Sequence, residues 1–274
     1  MMPAFRSHKN VLWLCFCLLS LTGWACPAGA VHKDIACATC HNKTEAELKD
    51  YTYDSADFPI SDLCLSCHDA ARNQTGGSAP YVVNGNREMA GGSFTPTQFS
   101  DEFGHNMGAA DATLGLTPPG GAPLDAFGCL SCHDAHTTGN FRNLKKEING
   151  HQTPVIANGD PNFQDTVYVS GVNDFCGACH EQLYGAYNAR EEKGWRRHPV
   201  GIAIYGAQGA NFESWSRLQN KVTRAQYPSG NRADLFRAEV FCLTCHRAHA
   251  SPFKDAMRWD YSKTAQGCLE CHAF

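Results

Sequence analysis

Six times in this chain, two cysteines three positions apart are followed at once by a histidine. We number these C-x-x-C-H motifs 1 to 6 in chain order. They begin at Cys37, Cys64, Cys129, Cys176, Cys242 and Cys268. Beyond the first thirty residues every cysteine belongs to one of the motifs, so none is left for another role. Any fold of this chain must therefore accommodate six identical chemical groupings.

The first thirty residues have the pattern of an export signal. Arg6 and Lys9 form a basic start, and the apolar run 11–23 follows them. The run is short of the roughly 20 residues that a membrane-spanning helix needs, and Ala28-Gly29-Ala30 is a small-residue cleavage site. We predict a signal peptide over residues 1–30, a mature chain that starts at Val31, and an exported protein. An uncleaved membrane anchor is the alternative, and no other segment is predicted to span a membrane.

The C-x-x-C-H motif is the attachment signature of c-type haem. Two thiols on one helical turn can bond to the two vinyl groups of one porphyrin, and the next residue turns its imidazole to the iron. Zinc accepts cysteine pairs but does not require a histidine after each, and disulfides do not explain the histidines. The sequence thus predicts six covalently bound haem c groups. The predicted thioether residues are Cys37, Cys40, Cys64, Cys67, Cys129, Cys132, Cys176, Cys179, Cys242, Cys245, Cys268 and Cys271. The predicted proximal iron ligands, one in each motif, are His41, His68, His133, His180, His246 and His272.

Six further histidines lie outside the motifs in the mature chain, one for each predicted haem. Equal numbers favour bis-histidine ligation, with one distal histidine on the second face of every iron. The predicted distal ligands are His32, His105, His136, His151, His198 and His249. Methionines 89, 107 and 257 are alternative ligands, and a Met/His pair would raise the potential of its haem.

An internal repeat supports this assignment. Asp62-Leu-Cys64 opens one unit and Asp174-Phe-Cys176 opens another, and each unit closes with C-L-x-C-H-x-A-H, at His136 and His249. Each unit also carries an H-x-x-G segment, at His105 and His198. The last histidine of C-x-x-C-H-x-x-H cannot bind the iron that its own motif already holds. We therefore expect it to reach a neighbouring haem.

Chain length limits the kind of core that can form. After the signal peptide, 244 residues must surround six haems, which is too little polypeptide for a separate apolar core around each. We expect a mainly α fold with much irregular loop, a core dominated by six stacked haems, and little or no β-sheet. Helices are predicted over 42–51, 61–72, 174–195 and 262–272, and loop over 73–128. We divide the mature chain into three-haem halves, 31–158 and 159–274, that form one continuous haem chain.

Net charge excludes one class of partner. The formal charge is −4, and haem propionates would add to it. A nucleic-acid binder needs a basic face, so no nucleic-acid partner is expected. Soluble redox partners that dock by charge should be basic at the contact.

These motifs resemble those of multihaem c-type cytochromes of the doubled C-x-x-C-H group, over nearly all of residues 31–274. The chain is similar to hexahaem outer-surface and periplasmic cytochromes of metal-reducing bacteria. The resemblance implies respiratory electron transfer along bis-histidine haems, in the periplasm or at the outer surface. It also implies redox protein partners upstream and downstream, a porin–cytochrome complex, or self-assembly into an oligomer or filament. If filaments form by exchange of a distal ligand between subunits, His32 is the candidate.

Two classes of function remain open at this point. Six closed irons would make the chain an electron carrier and not an enzyme. A reductase of a small nitrogen or sulfur oxyanion would instead need one iron with an exchangeable position. The absence of a C-x-x-C-K motif, which ammonia-forming nitrite reductases often use, favours the carrier.

Overall fold

Short helices that carry the cysteine motifs are the main regular elements of the computed structural model. The structure describes residues 32, 35, 40, 60–73, 79–85, 91–94, 102–105, 117–124, 127–136, 139–158, 166–183, 198, 200–205, 225–269 and 272. The α-helices in these ranges are α1 Ile60–His68, α2 Cys129–Cys132, α3 Val172–Gly177, α4 Cys242–Cys245 and α5 Gln266–Leu269. Single 3-10 turns lie at Phe141–Asn143, Glu181–Leu183, Leu235–Arg237 and Lys254–Ala256. No described helix is long and apolar enough to cross a membrane.

Three antiparallel pairs of short strands connect the helices. The strands are β1 Glu147–Ile148, β2 His151–Gln152, β3 Ile156–Asn158, β4 Val167–Ser170, β5 Ile202–Ala203 and β6 Glu239–Val240. They pair as β1–β2, β3–β4 and β5–β6. Asn149 and Gly150 both have positive φ in the two-residue loop between β1 and β2, the backbone that tight hairpins require. Strands of two to four residues are too short for an alternating pattern, so the sequence did not signal them.

Two predicted helices are shorter in the structure than in the sequence analysis. Instead of a continuous helix from residue 174, α3 ends at Gly177, because the amides of Cys179 and His180 both bond to the carbonyl of Cys176 and tighten the turn. The rest of that prediction, 184–195, lies outside the described residues. The helix predicted over 61–72 corresponds to α1, which ends at His68 because Asp69 forms a β-bridge with Val83. The predicted helix 262–272 is confined to α5 among the described residues. The predicted helix 42–51 lies outside the described residues.

Apolar side chains gather in three small clusters. One, around Tyr168, joins β4 to the segments beside α3 and α4 and includes Val155, Val172, Phe241 and Leu243. The second contains Ile204, Ala225, Tyr227, Ala238 and Val240 around the β5–β6 pair. The third contains Leu65, Val83, Phe94 and Ala250 beside α1. Each cluster lies next to a motif helix and supports it rather than forming one central core.

The two predicted halves of the mature chain are in contact. The boundary after residue 158 falls between β3 and β4, which are hydrogen-bonded to each other. Gly171 fixes the next turn: its φ is +86° and a Cβ there would lie 1.8 Å from the carbonyl oxygen of Pro154. α3 of the second half therefore starts directly against the end of the first half.

Candidate functional site

Motifs 2 to 5 each place both cysteines on one short turn at or beside a helix, and the histidine ends or follows that turn. α2 and α4 are the clearest cases, since each helix consists of the C-x-x-C residues alone. No disulfide involves the described motif cysteines, which are Cys40, Cys64, Cys67, Cys129, Cys132, Cys176, Cys179, Cys242, Cys245 and Cys268. Cys37, His41 and Cys271 lie outside the described residues. The described thiols thus remain available for thioether bonds.

Four proximal histidines hydrogen-bond through the same nitrogen. Nδ1 of each of these four rings lies at hydrogen-bond distance from a backbone carbonyl oxygen. The partners are Pro80 for His68 at 2.8 Å, Arg142 for His133 at 3.0 Å, Pro119 for His180 at 2.9 Å and Asp255 for His246 at 2.8 Å. A donor Nδ1–H leaves Nε2 unprotonated, and such second bonds orient histidines that ligate metals. The sequence analysis missed these carbonyl groups, because any residue type can supply them.

Four proximal histidines face a second imidazole across a nearly constant gap. The ring centres are 6.1 Å apart for His32 and His68, 6.2 Å for His133 and His249, 6.1 Å for His105 and His180, and 6.1 Å for His198 and His272. In each pair one ring comes from a motif and the other from the predicted distal set. The four pairs are far apart in sequence, so the common spacing is a property of the tertiary structure.

The gap fits one iron ion. An ion bound to two imidazoles at about 2 Å each, with roughly one ring radius added at either end, separates the ring centres by about 6 Å. Direct stacking of the rings would bring them closer than a metal between them allows. No group of three or more His, Cys, Asp or Glu among the described residues could hold a metal ion in another way. The facing pairs therefore fit the axial ligands of haem iron.

Burial favours the neutral, metal-binding form of three rings in these pairs. Desolvation lowers the pKa of His249 to about 3, with the nearby His133 as the next cause. Burial also lowers the pKa of His68 and of His133. A metal ligand must be deprotonated at the coordinating nitrogen, so a lowered pKa favours binding.

Three distal histidines are held in the same way as the proximal ones. Their Nδ1 atoms lie 3.1 Å from the Ala135 carbonyl for His32, 2.6 Å from that of Ala248 for His105, and 3.3 Å from that of Gly92 for His249. Ala135 and Ala248 occupy the same place in C-x-x-C-H-x-A-H. Each repeat therefore orients a distal histidine of the motif before it.

The repeat extends to the backbone around motifs 3 and 5. A side-chain hydroxyl, of Ser131 or of Thr244, accepts a hydrogen bond from the amide that precedes its helix. A left-handed turn then follows nine residues after the proximal histidine, at Arg142 and Asp255. Bridges pair His133 with Leu144 and His246 with Met257. Segments 128–145 and 241–258 thus share one local structure, although only part of it is visible in the sequence.

Neighbouring motifs are also neighbours in space. The Cys64 thiol of motif 2 hydrogen-bonds with Cys129 of motif 3, and this bond is the first cause that raises the pKa of Cys64. The thiol of Cys176 in motif 4 does the same with Cys242 of motif 5, and its pKa is raised. Buried Asn173, which the sequence analysis did not select, accepts a hydrogen bond from the Cys242 amide at 3.0 Å.

Further contacts join motif 3 to motif 4, and a strand pair connects the segment after His198 to the segment before motif 5. Burial and then the nearby Cys179 thiol raise the pKa of Cys132 to about 12. Asn149, in the hairpin after motif 3, donates a 3.0 Å hydrogen bond to the carbonyl of Ala178 in motif 4. The β5–β6 pair connects the chain after His198, which faces His272 of motif 6, to the strand before motif 5. Motifs 2 to 5 therefore lie side by side in chain order.

Two predicted distal histidines do not face a described proximal ring. His136 is exposed and lies 3.9 Å from the Asp134 carboxylate. His151 is exposed as well, and its Nε2 lies 3.6 Å from the Glu181 carboxylate. Their assignment as iron ligands stays a prediction.

The comparisons with known proteins identify outer membrane and c-type cytochromes and the doubled CXXCH motif. The family described as outer membrane cytochrome MtrC/MtrF-like, domains II/IV, matches residues 29–201, and the doubled CXXCH motif family matches residues 236–274. The C-type cytochrome OmcS of Geobacter sulfurreducens is 22% identical over an alignment of 350 residues, which covers 85% of this chain and 80% of that protein. The solved outer membrane cytochrome S filament from the same organism superposes with a TM-score of 0.47 at 18% identity, covering 72% of this chain and 74% of that one.

Proposed function

The chain belongs to the MtrC/MtrF-like outer membrane cytochrome family, and we propose that it moves electrons along a row of six bis-histidine haems. Membership makes it a multihaem c-type cytochrome, and thus an electron carrier rather than an enzyme. Each haem iron would supply one-electron redox chemistry, while the protein sets ligands, spacing and surroundings. The count of six rests on the C-x-x-C-H motifs, and the axial ligation rests on the facing histidines.

The four facing pairs are the single observation that carries the proposal. They assign His32 to motif 2, His249 to motif 3, His105 to motif 4 and His198 to motif 6. Because His32 faces a ring of its own chain, the pairing supports ligation within the subunit and not exchange with a neighbour. Two imidazoles on every iron would keep the potentials low relative to Met/His haems.

The structural repeat extends the assignment to motif 1. His249, three residues after the proximal histidine of motif 5, faces motif 3, which lies two motifs earlier. By the same relation His136, three residues after His133, belongs to motif 1. We propose His136 as the distal partner of His41.

The haem order follows from the motif contacts. Motif 2 contacts motif 3, motif 4 contacts motif 5, and hydrogen bonds from the intervening hairpin join the two pairs. Electrons would therefore pass through the chain from motif to motif in sequence order. Haems at the two ends of the row would exchange electrons with separate redox partners.

The family supports a site of action outside the cytoplasm, at the outer surface, in extracellular electron transfer. Given the net charge of −4, we expect soluble redox partners to present a basic contact. Assembly of the protein with itself, as in the filament structure of the similar cytochrome, or with a porin is part of the same proposal.

Intact-mass measurement of the purified holoprotein tests the haem count. We expect the mass of residues 31–274 plus six haems, because each motif offers two cysteines to one porphyrin. The double variant Cys129→Ala and Cys132→Ala should lose one haem and retain the other five. A wild-type mass with fewer than six haems would contradict the proposal.

A further inference from the structure

One aromatic side chain lies between the last two haem motifs. The amide of Arg258 donates a 2.9 Å hydrogen bond to the carbonyl of Cys245, and its Nε donates one of 2.7 Å to the carbonyl of Leu243. Both acceptors belong to α4, the helix of motif 5. These two bonds place the next residue, Trp259, directly beside motif 5.

The Trp259 ring also packs against motif 6. A Cβ on Gly267 would overlap the six-membered part of the indole ring. Gly267 lies in α5, next to Cys268, the first cysteine of motif 6. Between the two residues the chain reverses in a tight turn that is closed at the carbonyl of Asp260. Trp259 therefore contacts motif 6, while its neighbour Arg258 contacts motif 5.

The indole nitrogen of Trp259 is buried without an acceptor among the described residues. Its Nε1 atom is shielded from solvent, and no described atom accepts its hydrogen bond. An indole N–H can only donate, and buried donors in folded proteins are nearly always satisfied. We therefore expect an acceptor from another group of the holoprotein at this atom.

The structural repeat indicates that motif 5 does not need the indole for its own fold. Lys145 of motif 3 corresponds to Arg258, because its amide bonds to the carbonyl of Cys132 at 2.9 Å. The residue equivalent to Trp259 is thus Lys146, which is exposed. The same backbone carries a solvated cation after motif 3 and a buried N–H donor after motif 5. The buried donor is specific to the place where motif 6 packs alongside.

Haem c supplies an acceptor of the right kind, because its propionate groups are carboxylates. A carboxylate makes a strong, charge-assisted hydrogen bond with an N–H donor. We infer that the indole N–H of Trp259 donates to a propionate of the haem attached at motif 5 or at motif 6, and that Trp259 positions these two haems side by side. The inference rests on the proposed function and extends the row of adjacent motifs to motif 6.

Ultraviolet resonance Raman spectroscopy of the holoprotein tests the bond, because an indole vibration changes frequency when the N–H group donates to an acceptor. After residue 30 the chain has three tryptophans, at positions 195, 215 and 259. Subtraction of the Trp259→Phe spectrum from that of the wild type therefore isolates one indole. We expect its band at the frequency of a strongly hydrogen-bonded indole. A band at the frequency of a free N–H group would overturn the inference.

Two haem-deletion variants identify the source of the propionate. Cys242→Ala with Cys245→Ala removes the attachment of the motif 5 haem, and Cys268→Ala with Cys271→Ala removes that of the motif 6 haem. The propionate belongs to the haem whose loss moves the isolated band to the free position. A bonded indole in both variants would overturn the inference, because the acceptor would then belong to neither haem.

The reduction potentials supply a second readout. A donor that offsets the negative charge of a propionate makes the nearby iron easier to reduce, so Trp259→Phe should lower one potential and leave the others nearly unchanged. The matched control is Tyr205→Phe, which removes a hydroxyl group from an exposed aromatic ring. It should change neither the indole band nor any potential. Identical potentials in Trp259→Phe and the wild type would contradict the inference.

The haem mass of the same samples separates this inference from the proposed function. Six haems in the wild type together with a free indole would refute only the role of Trp259. Fewer than six haems would instead refute the proposed function.

Discussion

Replacing His249 with Met raises the reduction potential of one haem by on the order of 0.1 V, within the range of about 0.8 V that axial ligands span. The haem is that of motif 3, because His249 faces His133 with ring centres 6.2 Å apart. A thioether stabilises the reduced iron relative to an imidazole and so raises the potential. The other haems should shift much less, since their ligands do not change.

His249 is a favourable position for this substitution. The ring is packed between Phe94, whose centre is 5.2 Å away, and the backbone at Gly91. Methionine is flexible and apolar, so it fits a buried site of this kind. The iron should consequently remain six-coordinate and low-spin.

Spectroelectrochemical titration measures the change, with Ile156→Met as the control. Ile156 is an exposed apolar residue of β3 that is not among the predicted iron ligands, so its replacement should leave every potential in place. If all potentials also stay unchanged in His249→Met, then His249 does not ligate an iron and the facing pairs have another origin.

A chain produced without haem attachment does not reach a stable fold, and we expect the whole free energy of unfolding to be lost. The described residues bury apolar side chains in three clusters of four or five residues each. Clusters of this size cannot offset the conformational entropy of a chain this long. The facing histidines also leave gaps that only the haems fill.

Far-UV circular dichroism and hydrogen exchange of apoprotein and holoprotein test this expectation. The apoprotein, made in cells that lack the haem-attachment machinery, should show no cooperative thermal transition and little amide protection. The holoprotein should show both. A cooperative transition in the apoprotein would mean that the polypeptide core is sufficient on its own.

The kinds of ligand could be predicted from the sequence, but their pairing could not. Motif spacing identifies Cys129, Cys132 and His133 without any structural information. His249 faces His133, which belongs to the other half of the chain. The order also varies, because His105 precedes its partner His180 in the sequence whereas His249 follows its partner His133. Loop closure over such distances depends on tertiary structure that local pattern does not encode.

Local structure between the motifs was also only partly predictable. The C-L-x-C-H-x-A-H repeat was visible, whereas the left-handed turns at Arg142 and Asp255 were not, because neither turn contains a glycine or a proline. The helix expected from residue 174 ends early, at Gly177, for the opposite reason. Its residues favour helix, but the chain tightens at His180 to place that ring opposite His105.

Low-temperature electron paramagnetic resonance of the oxidised holoprotein, referenced to total haem iron, tests the central claim of paired histidine ligation most directly. The four facing pairs require at least four low-spin irons per chain, and bis-histidine ligation of all six haems would leave no high-spin iron. High-spin signals from three or more of the six irons would contradict the account.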